Sequence, residues 1–161
     1  MGDINRSMGV TKTNDRSAKA HIIYRLVIES FTYSEDPSNS FVPTCTLNLI
    51  DLGGSEPLSQ LDDFESRSSQ KQKENSFQVR GIFTLDSIVS ILSDPNQIHD
   101  QTWVPYRESK LTRFLMPYLE GDSSILWVCN LSPTDQNYRF NKKTCDFANM
   151  ASKIVQKISA K

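Results

Sequence analysis

An α/β fold, a sheet flanked by helices, is predicted from three observations. Apolar β-type runs lie at 22–28, 44–51 and 124–131, apolar residues recur at helical spacing within 82–92, 105–115 and 147–158, and the two kinds of segment alternate along the chain. Residues 1–20 are polar and irregular. Ile22-Ile-Tyr-Arg-Leu-Val-Ile28 reads as a buried strand. Glu35 to Ser40 is turn chemistry, and Thr44 to Asp51 is a second strand with Leu47 and Leu49 on one face, so the pair makes a hairpin. Residues 57–76 are rich in Ser, Gln, Asp, Glu and Lys and read as a long flexible loop. Ile82, Leu85, Ile88, Val89 and Leu92 mark a helix that Asp94-Pro95 ends, and 95–103 reads as loop. A second helix begins near Pro105 and carries Leu111, Phe114 and Leu115. Ser124 to Leu131 is apolar nearly throughout, as in a central strand covered on both faces, and Ser132-Pro133 stops it. Phe147, Met150, Ala151, Ile154, Val155 and Ile158 form a C-terminal amphipathic helix.

The 161 residues amount to a single domain, long enough to bury a core. Apolar residues make up 37%, charged residues 23%, and the net charge is −1. That balance selects no partner, so any electrostatic binding must come from a local patch, and nothing points to nucleic acid. There is no 18-residue apolar run and no signal peptide, so no membrane partner is expected. Cys45, Cys129 and Cys145 lack C-x-x-C spacing and read as reduced core thiols, which suits a cytoplasmic protein. No His/Cys cluster has metal-ligand spacing, so no metal site is expected, and no serine sits in a G-x-S-x-G motif.

The most informative run is Leu47-Asn-Leu-Ile-Asp51-Leu-Gly-Gly-Ser-Glu56. It places an acid at the carboxyl end of a strand, where phosphate-handling folds sense Mg²⁺ or a γ-phosphate, followed by glycines that let backbone N–H groups approach a phosphate. The bland alternative is an Asp51 that caps a strand and a solvated Glu56. No G-x-x-x-x-G-K-[ST] loop occurs in the sequence.

Four blocks in order resemble the kinesin motor domain, in its C-terminal half. Asp51-Leu-Gly-Gly-Ser-Glu56 is similar to switch II, DLAGSE. Asn5-Arg6 and the run from Thr11 to His21 resemble the end of a helix and switch I, N-x-x-S-S-R-S-H. Val104-Pro-Tyr-Arg-Glu-Ser-Lys-Leu-Thr-Arg113 matches PYRDSKLTR. Phe147-Ala-Asn-Met-Ala-Ser-Lys153-Ile resembles the last motor helix. Ile28-Glu-Ser30 and Leu115-Met-Pro117 look closest to the centromere-associated branch.

The resemblance implies a partial kinesin-type P-loop NTPase sheet over 1–161, with the P-loop strand absent. It implies Asp51, Gly54 and Glu56 as the catalytic switch II set and Arg6, Asn14 and Ser17 as a switch I remnant around Mg-ATP. It implies tubulin, as the microtubule, for a partner. Ala18, Lys19 and Ala20 replace switch I Ser, Arg and Ser, and Lys cannot reproduce the bidentate fork that Arg makes with Glu56. Val79-Arg-Gly-Ile82 stands where the family has N-K-S-L. The P-loop strand would lie between the strands at 44–51 and 124–131, so its removal exposes edges and invites self-association.

Arg107, Lys110 and Arg113 recur every three residues and, on one helix, share a basic face that Lys73, Lys71 and Arg80 extend. Such a stripe suits acidic tubulin; otherwise it is a solvated face balanced by Glu108 and Glu120. His21 reads as a structural hydrogen-bonder, His99 as a loop residue, and Trp103 and Trp127 as packing residues. The expected function is a kinesin-like, microtubule-binding protein of the cytoskeleton that binds no cofactor and hydrolyses no ATP alone. The alternatives are part of an active ATP-dependent microtubule motor whose P-loop half is missing from this sequence, or a non-catalytic regulatory interaction module; another motor chain is a further candidate partner.

Overall fold

The computed structural model describes residues 8–11, 14–18, 20–30, 44–54, 69–98, 103–121 and 123–155. The chain divides into two compact units, Met1–Gln72 and Lys73–Lys161.

The first unit holds two antiparallel hairpins. β1 (Met8–Thr11) pairs with β2 (Asn14–Ala18), Met8 opposite Ala18 and Thr11 opposite Asn14. This stretch was expected to be irregular. Its short polar strands lack the apolar alternation by which strands are read. β3 (Ile22–Glu29) pairs with β4 (Thr44–Asp51) over their full length, from Ile22 opposite Asp51 to Glu29 opposite Thr44. Ile, Val and Tyr make up five of the eight residues of β3, which suits a pleated surface, but this strand was expected to be buried and is exposed from Ile23 to Glu29. Arg25 Nε donates to Asn48 Oδ1 at 2.9 Å across the pair.

The second unit is helical. α1 (Ser69–Ser93) runs for 25 residues, so 69–76 of the expected loop belong to it; 57–68 lie outside the described residues. Continuation of the α1 backbone ladder overrides the polar composition of its first turns, because each added residue closes one more bond onto an existing helix. Gln78, Thr84, Leu85, Ile88 and Val89 form its buried side. α1 ends where Asp94-Pro95 requires, and one further turn, α2 (Pro95–Ile98), follows instead of loop, with the Asn96 N–H donating to the Asp94 carboxylate at 3.0 Å.

The helix expected from Pro105 is broken in two. Tyr106–Glu108 is a single 3-10 turn, Ser109 is extended at φ −143°, ψ 158°, and α3 (Lys110–Leu119) begins after it. The Ser109 hydroxyl accepts the Thr112 N–H at 3.0 Å, an N-cap that outcompetes continuation of the 3-10 turn. Leu111, Leu115 and Leu119, spaced by four, line the buried side of α3.

Residues 124–131, expected as a covered central strand, pair with no strand among the described residues. Leu126 is 87% and Val128 76% exposed, while Trp127, on the alternate side, packs edge-on against Phe147 at 5.2 Å. One side of this apolar run is therefore held and the other is bare. α4 (Tyr138–Ala151) starts earlier than its apolar residues indicated and ends before Ile154 and Val155. Asn141 joins its first turns to the Ser132 turn: its carbonyl oxygen accepts the Ser132 N–H at 2.9 Å and its amide donates to the Ser132 carbonyl at 2.7 Å.

The three cysteines are unpaired, as expected, but exposed rather than core. Cys45 lies on an open hairpin and Cys129 on the unpaired run. Trp103 is likewise exposed, and His99 lies outside the described residues.

Candidate functional site

Two candidate sites emerge, one in each unit. In the first, Asp51 is the last residue of β4, opposite Ile22, with an exposed side chain at the carboxyl end of the strand. The chain then turns through Leu52, the buried Gly53 and Gly54. The Gly53 N–H donates to His21 Nδ1 at 2.9 Å. Nδ1 accepts, so the proton of the neutral ring is on Nε2. His21 is thus the structural hydrogen-bonder expected of it, and its target is the glycine turn beside Asp51. β2, with Asn14 and Ser17, precedes it in the same unit; the side chains of those two residues are not described. Arg6 and Glu56 lie outside the described residues. Among the described residues, no group of three His, Cys, Asp or Glu side chains is placed to hold a metal ion.

In the second site, Arg107, Lys110 and Arg113 are all exposed, but they do not share one helix. Arg107 sits in the 3-10 turn, while Lys110 and Arg113 lie one turn apart at the start of α3. The intervening letters of the motif do structural work. Tyr106 and Thr112 are buried, and the Thr112 hydroxyl donates to the Tyr106 carbonyl at 2.9 Å. Burial, then the Glu120 carboxylate, raises the Tyr106 phenol well above its usual range, so it stays protonated. Arg80, which was expected to extend the basic stripe, pairs with Glu108. That link between α1 and the 3-10 turn was not legible in sequence, since 28 residues separate its partners. Lys73 lies in α1, and its side chain is not described. Among the described residues, no helix is long and apolar enough to cross a membrane.

Residues 1–154 match the kinesin motor domain. The chain belongs to the kinesin motor domain family. It is 31% identical over 154 residues to kinesin-like protein KIN-7N of Arabidopsis thaliana, covering 96% of this chain and 18% of that protein. It is 35% identical over 158 residues to kinesin-related protein 11 of Dictyostelium discoideum, covering 95% and 22%. The fold is similar to that of KIF14 solved as a dimer with AMP-PNP in complex with a microtubule. There the TM-score is 0.82 at 29% identity, over 98% of this chain and 42% of that one. A Kar3-like kinesin from Ashbya gossypii shares the fold at a TM-score of 0.56 and 24% identity. This kinesin chain therefore spans about a fifth of those curated relatives and under half of the solved motor chains. The expected mixed α/β kinesin fold holds.

Proposed function

We propose that this chain is a microtubule-binding kinesin segment, associated with the cytoskeleton, that does not hydrolyse ATP by itself. The observation that carries the reading is the 106–113 segment, whose Tyr106, Leu111 and Thr112 are buried while Arg107, Lys110 and Arg113 stay exposed. The fold and the capped turn hold three cations outward for an acidic surface, and the solved relatives at TM-scores of 0.82 and 0.72 are in complex with microtubules. Attraction of this kind between exposed charges is screened over about 10 Å at 0.1 M salt. The chain should therefore co-sediment with taxol-stabilised microtubules and be released as salt rises. Arg107→Ala combined with Lys110→Ala should weaken sedimentation about tenfold; unchanged sedimentation would refute the reading.

A second reading is part of an active Mg-ATP-driven motor, favoured by the 42% coverage of a solved motor chain. In it, Asp51, Gly54 and Glu56 serve as switch II, and Arg6, Asn14 and Ser17 as switch I, once a phosphate cradle is supplied. Their order along the sequence supports this, as does the position of Asp51 at the carboxyl end of β4. Ile28-Glu-Ser30 and Leu115-Met-Pro117 favour the centromere-associated branch.

A further inference from the structure

We propose, resting on the microtubule reading and deepening it, that Phe83 on the outward side of α1 is an apolar anchor of that contact. It supplies a part of the binding that salt does not screen, beside the part carried by Arg107, Lys110 and Arg113. Gln78, Thr84, Leu85, Ile88 and Val89 form the buried side of α1. At about 100° per residue, Phe83 stands roughly 180° from the middle of that row. Its side is thus the one directed straight away from the core of the helix, and the residue is 70% exposed. A phenylalanine so placed gains nothing for folding, because its ring leaves no water behind on going from the unfolded to the folded chain.

Its neighbours mark this side as true surface. Ser76, Arg80, Asp86 and Ser90 are exposed around it and Ser87 is half-buried, whereas bare core would present apolar neighbours. Single exposed apolar residues are ordinary, so position and surroundings decide. A helical side chain covers the turn N-terminal to its own Cα, so the Phe83 ring extends toward Arg80. Arg80 pairs with Glu108, which follows Arg107 in the 3-10 turn. The ring therefore lies on the side of α1 that reaches the cationic segment. The serines around it are small, and the Ser87 hydroxyl folds back onto α1, donating to the Phe83 carbonyl at 3.0 Å. A flat partner can approach the ring closely. A large aromatic within a rim of small polar and cationic side chains has the make-up of a binding hot spot. The occupant is the acidic tubulin surface that the neighbouring cations already fit, with an apolar patch to take the ring.

The test is co-sedimentation of the full chain with taxol-stabilised microtubules at low and at raised salt. Phe83→Ala should weaken binding about tenfold at both, the effect of truncating one hot-spot side chain. Arg107→Ala combined with Lys110→Ala should instead weaken binding at low salt and flatten its salt dependence. Phe83→Leu, which keeps an apolar side chain, should retain most of the binding. The melting midpoint of Phe83→Ala should match that of the unaltered chain; a lowered midpoint would place the ring in the core and overturn the proposal. Phe77, equally exposed at 70% but about 120° round the helix from Phe83, is the control. Phe77→Ala should leave sedimentation unchanged, and an equal loss there would make the effect general adhesion and overturn the anchor. If the unaltered chain binds and Phe83→Ala binds as tightly at both salts, the anchor alone fails. If the unaltered chain does not sediment with microtubules, the microtubule reading itself fails, and the anchor with it.

Discussion

Tyr106 and Ser109 show what single residues of the basic segment contribute. The Tyr106 phenol is favoured in its neutral form by burial, then by Glu120. A raised folded pKa gives stability that is fully present below the unfolded value of about 10 and is lost as pH rises beyond it. Thermal melts should therefore show a stability decline above about pH 10 that Tyr106→Phe reduces, with little change at pH 7. Ser109→Ala removes the cap of α3 and should cost about 1 kcal/mol in urea unfolding. At the other site, His21→Ala frees the Gly53 amide, and its hydrogen exchange should quicken about fivefold, as loss of roughly 1 kcal/mol implies. A Gly53 amide as protected in the variant as in the unaltered chain would remove His21 from that role.

Elements reveal where local pattern is sufficient. The pairing of β3 with β4 and the buried side of α1 follow from apolar patterning and were legible, but β3 was expected to be buried and is largely exposed, since an apolar run records the need for cover and not its presence. The break at Ser109 was not, because Arg107, Lys110 and Arg113 have helical spacing whether or not a cap intervenes. α3 also contains Pro117, which lacks the N–H that would bond to the Arg113 carbonyl, and it closes at Gly121, where a Cβ would sit 2.2 Å from the Pro117 carbonyl oxygen. Gly121→Ala should accordingly cost roughly 1–3 kcal/mol. Leu115→Ala, within the buried row of α3, should cost about 2–5 kcal/mol, both read as a lowered unfolding midpoint by circular dichroism.

At the scale of the whole molecule, the apolar surface exposed among the described residues governs behaviour. A two-stranded hairpin is marginal in water, and the exposed sides of Leu126 and Val128 add a second uncovered apolar run. The chain should bind an apolar dye in its native buffer, read as a rise in dye fluorescence; no rise would mean that this surface is covered. Phosphoryl transfer depends on positioning and charge neutralisation at the phosphates. No phosphate-cradling motif accompanies Asp51 in this sequence, so at millimolar Mg-ATP no turnover above buffer is expected; measurable turnover would refute an inactive chain.

By itself the sequence determined the family, the α/β class and the exposed cations, because motif letters and apolar periods are local and survive in one dimension. Only tertiary structure decided which motif residues face inward, that Arg80 pairs with Glu108, that His21 holds the Gly53 turn, and that residues 123–131 pair with no strand among the described residues. Arg80–Glu108 and His21–Gly53 join residues 28 and 32 apart, the inward turn of Tyr106 and Thr112 depends on the Ser109 cap, and periodicity carries no record of which partner a side chain or a strand edge will meet.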